Sequence, residues 1–274
     1  MPSLGPAYTL SQEDINALPR TTGVYIFHGD STLPLYIGKS VDIRSRVLSH
    51  LRQPDEVRMM SQTRRIELIE TAGEIGALLL EARLIKSLSP LFNVRLRRIR
   101  TLYSIRLINT PSGMKPEIIS SKNTTIGLTD GLYGLFNSKQ ATLDKLREIA
   151  KEHTLCQALL GLERLTRHGC FGRQIKTCYG ACINEEARDQ HDHRLVRALT
   201  DIKVHVWPYK GPIELVETQG EWIQRHRIHH WCYVGTWCSR TQWPSESLSM
   251  SFDLDTYKII VKPIMLQLLP VVEL

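Results

Sequence analysis

No apolar run in this 274-residue chain approaches the eighteen or so residues that a membrane-spanning helix needs. The opening Met1-Pro2-Ser3-Leu4-Gly5-Pro6 lacks the charged-then-apolar pattern of a signal peptide. There is no internal repeat and no low-complexity tract. The six cysteines do not have the layout of a secreted disulfide framework. Four of them, Cys156, Cys170, Cys178 and Cys182, are clustered, and Cys232 and Cys238 lie far downstream. These absences lead to the expectation of a soluble cytoplasmic protein whose clustered cysteines bind metal before they form disulfides.

The length suffices for two modest domains, and 42% hydrophobic residues support packed cores. A net charge of +7 is unevenly placed. Residues 37–100 hold 13 Lys/Arg against 7 Asp/Glu and end in Arg95-Leu96-Arg97-Arg98-Ile99-Arg100. Such a basic excess suits a polyanionic partner, although a solvated basic face reads the same way.

Residues 1–19 read as a lead-in. Gly23 to Phe27 and Leu35 to Gly38 read as two strands of a hairpin, with Gly29-Asp30 as a turn signal. Ser40 is the expected N-cap of a helix over 41–50, with Asp42 in its first turn. A second helix is expected from Glu56 to about Glu70. A third follows Gly73, with Ala77, Leu80, Leu84 and Leu88 on one face, and ends at Pro90. The order β-β-α-α-α predicts a small α/β (α+β) domain over residues 20–100, with a short mixed sheet flanked by helices.

Thr101 to Ile108 reads as a strand, and the rest of 101–131 as linker, with 109–130 as loop. Residues 132–202 form a cysteine-bearing helical region: Leu132 to Phe136 leads into a helix near 140–152, and a polar helix covers about 184–199. Residues 203–274 form a strand-rich C-terminal part, with strands expected at Lys203–Trp207, Ile213–Glu217, His226–Val234 and Tyr257–Lys262.

Hydrolysis of a phosphodiester requires an activated water, a cation against developing charge, and a stabilised leaving oxygen. Gly23-Val24-Tyr25, followed after ten residues by Tyr36-Ile37-Gly38 and a basic stretch to Arg46, resembles the GIY-YIG nuclease domain. Singly, each residue is an ordinary strand aromatic, basic side chain or helix carboxylate. Their order and spacing together carry the resemblance. It implies catalytic roles for Tyr25, Tyr36, Lys39, Arg46, Glu81 and Asn93. Glu81 would hold one Mg2+ or Mn2+, and Arg46 would donate to phosphate oxygens. Tyr36 is the favoured general base and Tyr25 its positioning partner, with Lys39 or Arg46 expected to favour tyrosinate. Asn93 would fix backbone or substrate. Arg44, Arg95, Arg97, Arg98 and Arg100 are candidate DNA contacts.

The segments Gly76-Ala77-Leu78-Leu79-Leu80-Glu81, Ile85-Lys86 and Pro90-Leu91-Phe92-Asn93-Val94 resemble the N-terminal half of UvrC, the bacterial excision-repair nuclease. Tyr133-Gly134-Leu135-Phe136 and Cys178-Tyr179-Gly180-Ala181-Cys182 resemble UvrC further along. No stretch resembles its ribonuclease-H-like domain or its helix-hairpin-helix motifs. The layout, with Gly38-Lys39-Ser40 and Arg44 to Leu51, resembles the short Cho subgroup. UvrC has a tyrosine where this chain has His50, one helical turn from Arg46, so His50 is an alternative base. The resemblance implies a single incision on the 3′ side of a DNA lesion, on damaged double-stranded DNA marked by UvrA and UvrB.

The cysteine spacing C-x13-C-x7-C-x3-C suits zinc or an iron–sulfur cluster. The resemblance favours a [4Fe-4S] cluster, with Zn2+ and free thiols as alternatives. His191-Asp192-His193 reads as surface. Arg164, Arg167, Arg173 and Lys176 read as a solvated basic surface or as phosphate contacts. The rival functional readings are a stand-alone structure-selective or restriction-like GIY-YIG nuclease and a non-catalytic DNA-binding adaptor.

Overall fold

A computed structural model describes residues 10–93, 101–240 and 252–274. The chain divides into two compact units. One joins Met1–Arg98 to Tyr209–Leu274, and the other is Ile99–Pro208. No described helix is long and apolar enough to cross a membrane.

The first unit opens with α1 (Gln12–Asn16), capped by a reciprocal Ser11–Asp14 box. Strands β1 (Gly23–His28) and β2 (Pro34–Ser40) form the expected hairpin. Helix α2 (Ile43–Arg52) is capped by Asp42 rather than Ser40. The Asp42 carboxylate accepts from the Ser45 N–H at 2.9 Å, while Ser40 is still in β2. The short α3 (Val57–Gln62) ends at Thr63, and β3 (Arg65–Glu70) follows. A strand thus replaces the second half of the helix expected over 56–70. Its alternation explains why. Ile66 and Leu68 pack on one side of the sheet and Ile69 on the other, as period two requires.

Because β3 pairs with β1, the order is β2-β1-β3 and every pairing is antiparallel. The expected mixed sheet is therefore corrected. The helices between β2 and β3 return the chain to the end of the sheet where β2 begins, so both outer strands run opposite to the central one.

The central strand sorts its side chains by face. Tyr25 and Phe27 join Ile43, Val47, Met59 and Met60 in one core. Val24 and Ile26 join Ile37, Ala77, Leu80 and Ile85 in the other, under α4 (Glu74–Leu88). Helix α4 ends on Ser89, whose left-handed φ of 48° turns the chain toward Pro90.

The same unit contains a second sheet, built from β7 (Ile213–Gln219), β8 (Trp222–His229), β9 (Cys232–Cys238) and β10 (Val271–Glu273), in the order β10-β7-β8-β9. Helix α8 (Leu254–Met265) packs against α4. It replaces the strand expected at Tyr257–Lys262. The β-branched run Ile259-Ile260-Val261 suggests a strand. The buried Leu254, Tyr257, Ile260 and Ile264 nevertheless recur at helical spacing, and Asp253 caps the first turn.

The second unit holds a three-stranded antiparallel sheet, order β5-β4-β6, made of β4 (Tyr103–Thr110), β5 (Gly113–Ser120) and β6 (Leu132–Phe136). Strand β5 lies in the stretch read as loop. Its Pro116 is tolerated because β5 is an edge strand. Helices α5 (Lys139–Glu152) and α7 (Arg188–Leu199) cover the sheet through Leu146, Ile149, Leu195 and Leu199. The short α6 (Phe171–Gln174) lies among the cysteines. Of the strand expected at Lys203–Trp207, only a single bridge from Lys203 to Tyr133 forms.

Candidate active site

Tyr25, Tyr36, Lys39, Arg46, Glu74 and Glu81 line one cavity of about 400 Å³. It opens where β1, β2, the first turns of α2 and the middle of α4 meet. Five residues nominated from sequence are thus brought together. The sixth, Glu74, was not foreseen.

Tyr25 sits in the central strand and is fully buried, so it forms the back of the cavity rather than its mouth. Gly38 makes room for it: a Cβ there would run into the Tyr25 hydroxyl. Tyr36, on the neighbouring strand, is partly exposed. The two rings are 6.2 Å apart between centroids.

Burial is the largest influence on both phenols and pushes their pKa values up. Repulsion from Glu81, and for Tyr25 also from Tyr36, adds to the rise, and Arg46 only partly opposes it. Both hydroxyls therefore stay protonated at neutral pH. The expectation that a neighbouring cation would favour tyrosinate is corrected: desolvation outweighs the guanidinium.

Behind Tyr25 lies a chain of short hydrogen bonds. The Tyr25 hydroxyl is 2.6 Å from His50 Nε2, and His50 Nδ1 is 2.5 Å from Glu56 Oε2. His50 is 1% exposed and does not reach the cavity. Burial chiefly lowers its pKa, with a smaller push from Arg46, against the pull of Glu56. A neutral ring donates from Nδ1 to the carboxylate and accepts the Tyr25 hydroxyl at Nε2. Glu56 lies in the turn between α2 and α3. Its pairing with His50 depends on the course of that turn, which leaves no signal in the sequence.

Glu81 is held by the sheet. Its Oε1 accepts the Lys39 backbone N–H at 3.0 Å. Burial is the main influence on Glu81 and raises its pKa, offset in part by that N–H and by the charges of Lys39 and Arg46. The Lys39 ammonium is 2.5 Å from Glu74 Oε1. A half-buried carboxylate with one oxygen so engaged, beside a cavity with room for water, is a fitting donor for a hard divalent cation.

Asn93 stands apart from the cavity. Its side chain accepts from Ile37 N at 2.9 Å and donates to Ile37 O at 2.8 Å, clipping the chain after α4 to the free edge of β2. The Arg44 guanidinium is engaged by the Asn16 carbonyl at 2.6 Å. Arg95, Arg97, Arg98 and Arg100 lie outside the described residues.

In the second unit the sulfurs of Cys156, Cys170 and Cys182 lie within 4.8 Å of one another. Cys178 belongs to the same buried cluster. Two sulfurs already accept backbone N–H groups: Cys170 from Arg173 and Cys178 from Gly180. Burial, the leading influence, pushes the Cys156 thiol up to about 12 and raises Cys170 as well. Convergent soft donors with amide support fit a thiophilic metal or cluster.

His191 and Asp192, expected on the surface, are buried, while His193 is exposed. His191 Nε2 accepts the Cys156 backbone N–H at 3.1 Å, so this face of α7 anchors the cysteine loop. Arg173 pairs with Glu185, and Arg164, Arg167 and Lys176 are exposed.

Three family models match in succession: a UvrC-like GIY-YIG domain over residues 21–94, the UvrC/Cho excinuclease middle domain over 105–201, and the excinuclease Cho C-terminal domain over 212–274. Excinuclease Cho of Escherichia coli O6:H1 is 47% identical over 254 residues, covering 92% of this chain and 85% of its own. That of Salmonella typhi is 46% identical over 263 residues, covering 95% and 88%. The UvrABC system protein C of Wolbachia pipientis subsp. Culex pipiens is 31% identical over 184 residues, covering 66% of this chain and 30% of its own. The GIY-YIG N-terminal endonuclease domain of UvrC from Thermotoga maritima, solved with its catalytic magnesium, is 33% identical. It covers 31% of this chain and 100% of its own, with a TM-score of 0.29. The chain therefore belongs to the UvrC/Cho excinuclease family and is an endonuclease of the GIY-YIG type.

Proposed function

We propose that this endonuclease acts in nucleotide excision repair, making the 3′ incision beside a lesion in double-stranded DNA to which UvrA and UvrB have already been recruited. The observation that carries this reading is the convergence of Tyr36, Arg46 and Glu81 on one cavity in a UvrC-like chain. The exposed Arg164, Arg167 and Lys176, together with the Arg95–Arg100 run, are suited to phosphate contacts.

In this mechanism the Arg46 guanidinium donates to the non-bridging oxygens of the scissile phosphate. Tyr36, partly exposed, faces the attacking water; once ionised, its phenolate takes the water's proton as the water oxygen bonds to phosphorus and the bond to the leaving oxygen breaks. Tyr25, its own proton committed to His50 and Glu56, holds the back wall in a fixed orientation. The Lys39 N–H aims the Glu81 carboxylate. One Mg2+ or Mn2+ held at Glu81, with water filling its shell, would supply positive charge to the phosphate and the leaving oxygen. In the second unit, Cys156, Cys170, Cys178 and Cys182 would hold a [4Fe-4S] cluster.

The functional reading is tested by mapping cuts in a lesion-containing duplex. With UvrA and UvrB the wild-type chain should cut once, on the 3′ side of the lesion. Glu81→Ala should bind the same DNA without cutting it. Efficient cutting of unmodified duplex without those proteins would contradict the repair assignment.

A phenol whose pKa is raised is a stronger base once ionised, but a smaller fraction of it is ionised at neutral pH. Single-turnover cleavage should therefore rise by about tenfold per pH unit from about pH 7 to about pH 9. Tyr36→Phe should lower the rate by about a hundredfold or more and flatten this slope. An unchanged slope in Tyr36→Phe would remove Tyr36 as the base.

The cluster is tested by an ultraviolet-visible spectrum of anaerobically purified protein. Broad absorbance near about 400 nm is expected. A featureless spectrum from protein containing zinc would replace the cluster with a zinc site.

A further inference from the structure

Helix α4, which carries Glu81, begins poorly. Its N-cap is Gly73, which has no side chain to accept the orphan N–H groups of the first turn, and another glycine, Gly76, follows within that turn. The missing cap comes from about 140 residues further along the chain. Glu217 of β7 accepts the Ile75 N–H at 2.9 Å through Oε1 and the Gly76 N–H at 2.7 Å through Oε2.

The two glycines are what admit it. A Cβ at Gly73 would run into the Glu217 carboxylate, and one at Gly76 would lie 2.8 Å from the Gln224 amide oxygen. That oxygen in turn accepts the Ala72 N–H at 3.0 Å. The carboxylate is itself fixed from behind. His226 Nε2 is 3.0 Å from Glu217 Oε2, His226 Nδ1 is 2.7 Å from Thr236 Oγ1, and the Tyr233 hydroxyl is 2.5 Å from the same Thr236 oxygen.

Burial is the largest influence on Glu217 and acts to raise its pKa. The hydrogen bonds from His226, Gly76 and Ile75 outweigh it and leave the group ionised. A buried carboxylate is thus aimed at the positive end of the helix that presents Glu81. At the far end of α4, Lys86 Nζ reaches Asp253 at 2.6 Å and Asp255 at 2.9 Å, both at the start of α8. The catalytic helix is gripped at both ends by the C-terminal segment.

We propose that β7, β8 and the start of α8 act as a splint for the helix that carries Glu81, and that Glu217 is a positioning residue that sets the Glu81 carboxylate for the divalent cation. This rests on the reading of Glu81 as the cation's ligand. Loss of the cap would let the first turn of α4 fray. Because Glu74 in that turn holds the Lys39 ammonium and Glu81 takes the Lys39 N–H, the disturbance reaches the site through two contacts.

The test is Mn2+ binding to the full-length, DNA-free chain by electron paramagnetic resonance titration, together with hydrogen exchange at the Ile75 and Gly76 amides. Glu217→Ala should weaken Mn2+ binding by about tenfold and accelerate exchange at both amides, with affinity for DNA unchanged. Glu217→Gln, which keeps an acceptor oxygen, should fall between Glu217→Ala and wild type, and it serves alone if the alanine variant does not fold. Arg227→Ala, on the same sheet but away from α4, should bind Mn2+ like wild type. Wild-type Mn2+ affinity in both Glu217 variants would overturn the proposal, as would equal losses in the Glu217 variants and Arg227→Ala. Glu81→Ala separates the two levels. Undiminished binding there would contradict the cation assignment itself, whereas binding lost there but retained in the Glu217 variants would contradict only the splint.

Discussion

The hydrogen bond from the Lys39 backbone N–H to the Glu81 carboxylate joins the two halves of the candidate active site. One half is the sheet, which presents Tyr25 and Tyr36 from adjacent strands. The other is α4, which presents Glu81. Without a fixed link, a layer of apolar side chains would separate strand from helix and leave the carboxylate free to choose among rotamers. The bond spans that layer at one point, and the apolar core of Val24, Ile26, Ile37, Ala77 and Leu80 holds the layers at the required distance. Asn93 secures the same free edge of β2 two residues earlier by pairing with both backbone groups of Ile37.

Buried polarity is concentrated where it fixes positions. The chain Tyr25–His50–Glu56 lies behind the cavity, and the chain Glu217–His226–Thr236 lies at the start of α4. In each, the two ring nitrogens of a histidine reach a carboxylate on one side and a hydroxyl on the other, so the buried members of the chain are one another's partners. Such networks have few alternative arrangements, which suits a reaction that depends on placement. The cysteine unit follows the same pattern: His191 of α7 accepts the Cys156 N–H, and two further amides donate to sulfur.

Much of the site was legible in the sequence because its elements are local. Tyr25 and Tyr36 fall on paired strands of one hairpin, Arg46 follows on the next helix, and Glu81 rides on a helix with clear apolar periodicity. The alternation of Ile66, Leu68 and Ile69 was hidden beneath a helical reading of the same apolar residues, so β3 and the antiparallel order were missed. The β-branched run in α8 misled in the opposite direction. Glu56 and Glu217 were invisible for a different reason. Their partners, His50 and the amides of Ile75 and Gly76, are set by a turn and by a contact between distant segments, and neither leaves a spacing to read. His191-Asp192-His193 reads as surface because i and i+2 positions diverge on a helix, whereas α7 turns His191 and Asp192 inward and leaves His193 exposed.

The central claim is that Glu81, held by the Lys39 N–H on a helix fixed at both ends, is the ligand around which the nuclease site is assembled. An anomalous difference map from crystals soaked in Mn2+ tests it most directly. A single Mn2+ peak on the Glu81 carboxylate within the cavity, with the Lys39 N–H bond intact, is the predicted result. A peak elsewhere in the unit with none at Glu81 would contradict the account.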